Sequence, residues 1–285
     1  MKINPPVKKH FLRFLIFFLC LTILVFGTAF IFLPLPGNIP VLMYHHIGTT
    51  EDGVYSKNYV GQKDFAMQMA FLHRFGYRVI SMKDFDDINS GLRKPRGREI
   101  VLTFDDGSPT FAPEAMPILE KYHFPVMLFL ISEKMKQNAP DSISIDTVKK
   151  LMARPWISIG SHTKTHAILS ETSDEQIQDE LAGAKADLEK FFGVPIDYVA
   201  YPGGKIDARV METAKNAGYR LAFTTSYKKL GTLEEGLYAM SRQKISGGSD
   251  NLFVFWVKIS GVYQLFKKQR HEQLKKAGAF DHKPS

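Results

Sequence analysis

Residues Thr103 to Gly107 read Thr-Phe-Asp-Asp-Gly and put two adjacent carboxylates where the apolar run Ile100 to Phe104 meets a glycine. An apolar run closed by a turn residue is a buried strand, so both acids stand at its C-terminal end. Consecutive strand side chains point to opposite faces. A turn beginning at Gly107 relaxes that alternation and lets both carboxylates reach one cavity. Further on, Ser161 to His166 read Ser-His-Thr-Lys-Thr-His, with His162 and His166 four apart. Positions i and i+4 of a helical turn share a face, which predicts two imidazoles pointing the same way. Two imidazoles and one carboxylate make a facial site for a divalent metal, with positions left open to water and substrate. The second carboxylate is then free to act as a base. Taken singly, the acid pair also fits a helix N-cap beside a solvated neighbour, and the histidine pair also fits ordinary residues without a metal.

The elements that must position these groups alternate in type. Strands are predicted at Val41 to Tyr44, Arg78 to Ser81, Ile100 to Phe104, Val126 to Ile131, Ile157 to Gly160, Tyr198 to Tyr201 and Leu221 to Thr224. Helices are predicted at Lys63 to Phe75, Ala115 to Tyr122, Ile145 to Ala153, Asp174 to Phe192 and Asp207 to Ala217. Ser173 with Gln176 reads as a capping box, and Gly76, Gly193 and Gly218 read as helix stops. Alternating β and α elements imply one α/β domain built on a parallel sheet with helical crossovers. About seven such strands fit an incomplete barrel as well as an open sheet.

In this order and on this pattern, the two motifs resemble those of the polysaccharide deacetylase family, also called the NodB-homology family. Its first motif is Thr-Phe-Asp-Asp-Gly and its second is His-Ser/Thr-x-x-His. The resemblance runs from about Pro40 to about Ile245. It implies a distorted (β/α)7 barrel with its site at the C-terminal strand ends, where both motifs fall. It also implies that Asp106, His162 and His166 hold a divalent metal, Zn²⁺ or else Co²⁺ or Ni²⁺, and that Asp105 is the general base. Many members carry a catalytic histidine near the C-terminus. Here Pro40 to His46, Pro-Val-Leu-Met-Tyr-His-His, looks like that element moved to the front. This is similar to the circularly permuted subgroup that acts on poly-N-acetylglucosamine, and it implies His45 as the general acid, with His46 the lesser choice. Activity would then need His45 protonated, giving a bell-shaped pH profile.

The family's third motif, an arginine followed by proline, an aromatic residue and glycine, appears as Ala200-Tyr-Pro-Gly-Gly204. Ala200 stands in the arginine position and Gly203 in the aromatic one. Gly203 still has a backbone N–H to offer an oxyanion. Arg242, within Met240 to Ile245, is the candidate to supply the missing charge from another strand. It is grouped with Tyr201 as a candidate on the substrate side.

Phe14 to Leu35 form a nearly uninterrupted apolar stretch of 22 positions, enough helix for a bilayer core. Lys2, Lys8, Lys9 and Arg13 precede it without an acid, so the positive-inside rule puts the N-terminus in the cytoplasm and the remainder outside. The expected organisation is a basic flank over 1–13, a single-pass membrane signal-anchor over 14–36, an extracytoplasmic catalytic domain over 37–257 and a basic helix and tail over 258–285. A long helix is predicted from Asn251 to Ala277. The single cysteine, Cys20, lies in the apolar stretch, so the domain must be held by its core rather than by disulfides. The first 13 residues contribute +4 and residues 258–285 a net +5 against a formal total of +8, which leaves about −1 for everything between. The stretch between them is near neutral, which argues against a nucleic-acid partner.

The expected activity is therefore metal-dependent removal of N-acetyl groups from a β-linked N-acetylglucosamine polysaccharide outside the cytoplasm. Alternatives are peptidoglycan or a chitooligosaccharide as substrate, or a non-catalytic protein that binds surface polysaccharide.

Overall fold

The structure, a computed structural model, describes residues 10, 13–22, 39–49, 57–225, 236–247 and 251–260. Residues 13–22 are helical (α1), with Phe14, Phe17 and Leu19 mostly exposed. The remainder of the predicted span over 14–36 lies outside the described residues. Among the described residues no helix is long and apolar enough to cross a membrane.

The domain is a ring of parallel strands. In chain order these are β1 (Val41–Tyr44), β2 (His46–Ile47), β3 (Tyr59–Val60), β4 (Arg78–Val79), β5 (Glu99–Phe104), β6 (Val126–Leu130), β7 (Ile157–Ser161), β8 (Tyr198–Ala200), β9 (Leu221–Thr224), β10 (Met240–Ser241) and β11 (Gln243–Lys244). Their spatial order is β10-β9-β8-β7-β6-β5-β1-β11, with β4 on β5 and with β2 and β3 paired separately. β10 and β11 flank a single residue, Arg242. The segment Met240–Lys244 therefore pairs with β9 through Met240↔Phe223 and with β1 through Met43↔Lys244. It acts as the seam of a nearly closed barrel with seven strand positions. The ring is thinnest between β7 and β8, which meet at Ser161↔Val199.

The strands form because they are apolar on both faces. Every residue of β5 and β6 is buried, as expected of parallel strands covered on both sides. Alternate side chains split into two cores. Leu42, Tyr44, Leu102, Phe104, Leu128 and Leu130 pack outward with Phe65, Met69 and Leu72 of α2 (Gln62–Arg74). Val41, Val101, Met127, Phe129, Phe223 and Met240 fill the barrel. Its N-terminal end is plugged by Met82 and Phe85 of α3 (Met82–Asn89).

The remaining helices are α4 (Met116–Glu120), α5 (Ser132–Lys136), α6 (Ile145–Met152), α7 (Asp174–Gln178), α8 (Ala184–Phe192), α9 (Ala208–Asn216) and α10 (Leu252–Ile259). The helix predicted over Asp174 to Phe192 is broken at Asp179–Gly183, which makes a π-helical turn between α7 and α8. Its capping box forms at Ser173 and Gln176, and Gly193 closes α8 in the left-handed conformation. Of the helix predicted from Asn251, residues 261 onward lie outside the described residues.

Gly160 lets the barrel fill. A Cβ there would stand 2.7 Å from Phe129 Cε1 and 2.9 Å from the Tyr198 carbonyl oxygen. Neither a packed ring nor a backbone carbonyl yields cheaply. Gly160→Ala should destabilise the domain by about 1–3 kcal/mol in urea denaturation, and a loss under about 0.5 kcal/mol would show that the interior is looser than these distances imply.

Candidate active site

Val101, Thr103 and Asp105 share the inner face of β5. The strand pairing carries on to Asp105, whose N–H donates to the Tyr44 carbonyl at 2.9 Å. Asp106 then takes a left-handed φ of 67°, and Gly107 follows at 61°. This reversal brings the second carboxylate toward the same cavity, one residue earlier than a turn starting at Gly107 would. A left-handed Asp is tolerated better than most side chains.

His162 directly follows β7, and its N–H donates to the Leu130 carbonyl at 2.8 Å. Its ring Nδ1 lies 2.7 Å from the Ala200 carbonyl oxygen. A carbonyl only accepts, so Nδ1 carries the proton and the neutral ring turns the Nε2 lone pair into the cavity. His162 and His166 are not on a helical turn, which corrects the expectation from their spacing. The loop between them is irregular, with Thr163 at φ 65° and His166 at φ 70°. The rings still meet, with centroids 4.8 Å apart.

Asp106 Oδ1 lies 3.3 Å from His162 Nε2 and 3.4 Å from His166 Nε2. It is buried without a hydrogen-bond partner. One ligand atom from each of Asp106, His162 and His166 falls within 4.8 Å of the others. Ligands about 2.0–2.2 Å from a zinc ion at tetrahedral angles are themselves roughly 3.4 Å apart. The donor set, the spacing and the orphaned oxygen therefore fit a divalent ion. The electrostatics agree: burial alone would lower the His162 imidazole, but the carboxylates of Asp105 and Asp106 raise it above its ordinary value. Burial would raise the Asp106 carboxyl, yet the two imidazoles hold it well below the usual range. The centre draws positive charge.

Asp105 is 2% exposed. Arg242 grips it with both terminal nitrogens, Nη1 to Oδ1 and Nη2 to Oδ2, each at 2.6 Å. Nη1 also donates to Thr103 Oγ1 at 3.1 Å, and the guanidinium lies 5.2 Å from the centroid of the Phe129 ring. Burial would push the Asp105 carboxyl up; Arg242 first, then His162, holds it below its ordinary value. Oδ2 faces His162 Nε2 at 3.8 Å. The charge absent at Ala200 thus stands beside Asp105 from the seam strand. Because that side chain is fully withdrawn from solvent, Arg242 is not on the substrate side.

Tyr201 is not there either. It is 1% exposed, and its hydroxyl donates to the Tyr238 carbonyl at 3.1 Å. Gly203 is exposed in the turn after β8 at φ 62°. His45 directly follows β1 beside the cluster, with Nδ1 buried and unpartnered. Burial lowers its imidazole to about 4, against the pull of Asp105 and Asp106. It is therefore neutral near pH 7, contrary to the expected protonated acid. His46 points elsewhere, with Nδ1 2.7 Å from Ser108 Oγ and its ring stacked on Tyr59. Sequence reasoning missed Lys244, which lies two residues after Arg242 and so on the same face of the seam. Its ammonium donates to Asn58 Oδ1 at 2.7 Å and opposes protonation of His45. The i, i+2 relation to Arg242 was the available signal.

A parallel ring of strands with acids and imidazoles gathered at its C-terminal ends defines a barrel enzyme. Residues 93–222 match the polysaccharide deacetylase family model. The chain is 29% identical over 213 residues to Bacillus subtilis YxkH, named as a candidate polysaccharide deacetylase, covering 75% of this chain and 73% of that one. It is 26% identical over 184 residues to the poly-β-1,6-N-acetyl-D-glucosamine N-deacetylase of Staphylococcus aureus, covering 60% and 63% respectively. The Streptococcus pyogenes deacetylase PplD superposes with a TM-score of 0.73 at 24% identity, over 79% of this chain and 99% of that one, and so shares its fold. Residues 93–222 thus carry a polysaccharide deacetylase domain, and the homologues of that family hydrolyse N-acetyl amide bonds.

Removing one member of a buried ion pair strands the other. Arg242→Ala should cost roughly 3–5 kcal/mol in denaturant unfolding of metal-free protein. A cost below about 1 kcal/mol would mean that Asp105 is neutral in the native barrel.

Proposed function

We propose that this chain is an N-deacetylase of a β-linked N-acetylglucosamine polysaccharide. In this reading residues 14–36 anchor it in the cell membrane, 37–257 form an extracytoplasmic catalytic domain and 258–285 a basic tail. One observation carries the chemistry: Asp106, His162 and His166 converge on one point, with a second carboxylate, Asp105, held ionised beside them.

Asp106, His162 and His166 would hold the divalent ion, which when bound supplies a Lewis acid for the acetamide carbonyl and a more acidic water. Asp105 accepts the proton of the attacking water, and its Arg242 partner keeps it from arriving already protonated. The Gly203 N–H is the backbone donor offered to the developing oxyanion. His45 starts neutral, so it can protonate the departing nitrogen only with a proton received during the reaction. The proton taken up by Asp105 is the one available. Acetate leaves, and the sugar keeps a free amine.

The polymeric substrate is supported by the similarity to the S. aureus enzyme and by the histidine at the front of the domain rather than near its C-terminus. The anchor is supported by the apolar stretch and its basic flank.

Acetate release should be measured on poly-β-1,6-N-acetylglucosamine, peptidoglycan and chitooligosaccharides. Release fastest from the first, abolished by chelation and restored by Zn²⁺ or Co²⁺, is expected; preference for peptidoglycan would replace the substrate, and full turnover without metal would end the mechanism.

Asp105→Asn should bind metal normally and lose about 10²- to 10⁴-fold in rate, whereas Asp106→Asn should lose the metal itself. If both variants bind metal and stay within tenfold of wild type, the division of labour is wrong.

The histidines divide similarly. His45→Ala should remove most activity at unchanged metal content, and His46→Ala much less. Because His45 is neutral above about pH 4, kcat/KM should rise through acid pH and stay level to about pH 8. An alkaline limb near pH 7 that disappears in His45→Ala would show instead that the free enzyme needs the imidazolium.

A further inference from the structure

The loop that joins the two histidines has little regular structure to hold it. Thr163 and His166 are both left-handed, and non-glycine residues keep such conformations only where their surroundings over-determine them. Two sets of partners do so. On one side the Ser132 and Glu133 N–H groups donate to the Thr163 and Lys164 carbonyls at 3.3 and 3.0 Å. On the other side stands Glu180. Its Oε2 accepts the N–H groups of Lys164 and Thr165, each at 2.9 Å. Its Oε1 accepts the Thr165 hydroxyl.

Glu180 is 6% exposed among the core residues Ile177, Leu181 and Ala184. A carboxylate on the apolar side of a helix needs a reason to be there. It also lies within the π-helical turn Asp179–Gly183, and such turns mark functional positions more often than chance. The turn adds a residue to the helix and so presents two neighbours to one loop. Glu180 takes the backbone, and Asp179 takes the Lys164 ammonium at 2.8 Å.

We infer that Glu180 is a positioning residue that sets the His162–His166 loop and thereby the affinity of the centre for its divalent ion. The inference rests on the metal-centre reading above. Glu180 touches neither ion nor substrate. It fixes the backbone one residue before His166, and the Thr163 hydroxyl takes the His166 N–H at 3.2 Å. Losing such an outer partner of a metal ligand typically costs 10- to 100-fold in affinity.

The test is titration of the full chain, stripped of metal in detergent, with Zn²⁺ against a competing chromophoric chelator. Unfolding of each metal-free variant is followed alongside. Glu180→Ala should weaken binding by about 10- to 100-fold at unchanged stoichiometry. Glu180→Gln should stay within about threefold of wild type, since its amide oxygen still accepts both N–H groups and its NH₂ can donate to Thr165. Asp179→Ala, which removes only the exposed lysine pair, should match wild type. If Glu180→Ala does not fold, Thr165→Val carries the test, with an expected loss of a few-fold. A folded Glu180→Ala with wild-type affinity overturns the inference, as does a Gln variant as weak as the Ala variant. Wild-type protein that binds no Zn²⁺ would instead overturn the metal-centre reading itself.

Discussion

The bidentate pair between Arg242 and Asp105 is the constraint on which the barrel depends. Each ion costs several kcal/mol to bury, and only good geometry with further partners offsets that cost. Here the geometry is two 2.6 Å contacts, and the partners are Thr103 Oγ1 and the Phe129 ring. Arg242 reaches this position only when Met240–Lys244 pairs with β9 on one side and β1 on the other. Closing the ring and pairing Asp105 are thus one event. The same economy explains Gly160, whose missing side chain leaves room for Phe129 beneath the guanidinium.

The opposite wall of the cavity is set by strain rather than by charge pairing. Asp106, Thr163 and His166 all have positive φ, between 65° and 70°, and each such residue costs of order 1–3 kcal/mol. Regular strand or helix geometry would not bring Asp106 and His166 to within 3.4 Å of each other. The supports described for the loop hold that strain, and the stable ring beneath supplies the stability it consumes.

The seven predicted strands, six of them from their first residue, and the helices α2, α4, α6 and α9 were legible because they are apolar runs or amphipathic repeats, which solvent exclusion alone dictates, whereas the break between α7 and α8 was not. α3 and α5 were not, being short and dominated by charged and polar residues. The seam was legible only as the further strand that could bring Arg242, not as the closing element of the ring, since Met240 to Ile245 has polar residues at Ser241, Arg242, Gln243 and Lys244. Their burial is intelligible only once the interior is known to hold Asp105. Asp105, Asp106, His162 and His166 were legible as a group from motif order, and His45 only through the family resemblance. The roles of Arg242 and Tyr201 were only half legible. A tyrosine in a glycine-rich rim and a free-standing arginine both suggest a sugar, but the folded barrel turns one into the packing and the other onto Asp105. The missing guanidinium at Ala200 was the better clue, because a buried carboxylate demands a partner from somewhere.

Charge balance links the two walls. With neutral imidazoles, Asp105, Asp106 and Arg242 sum to one negative charge, buried at Asp105 and His162 and open to solvent at His166. Under the proposed reading a divalent ion at Asp106 turns that balance positive, the sign that favours an acyl-transfer oxyanion. Were Arg242 absent, Asp105 would lose the partner that does most to hold its carboxyl below the ordinary value. Were the arginine at position 200, the Ala200 carbonyl would still be free to orient His162 Nδ1, so the move to the seam costs the metal side nothing. Supplying the charge from the last strand ties the pairing of Asp105 to completion of the ring, and a partly folded barrel would leave that carboxylate without its arginine.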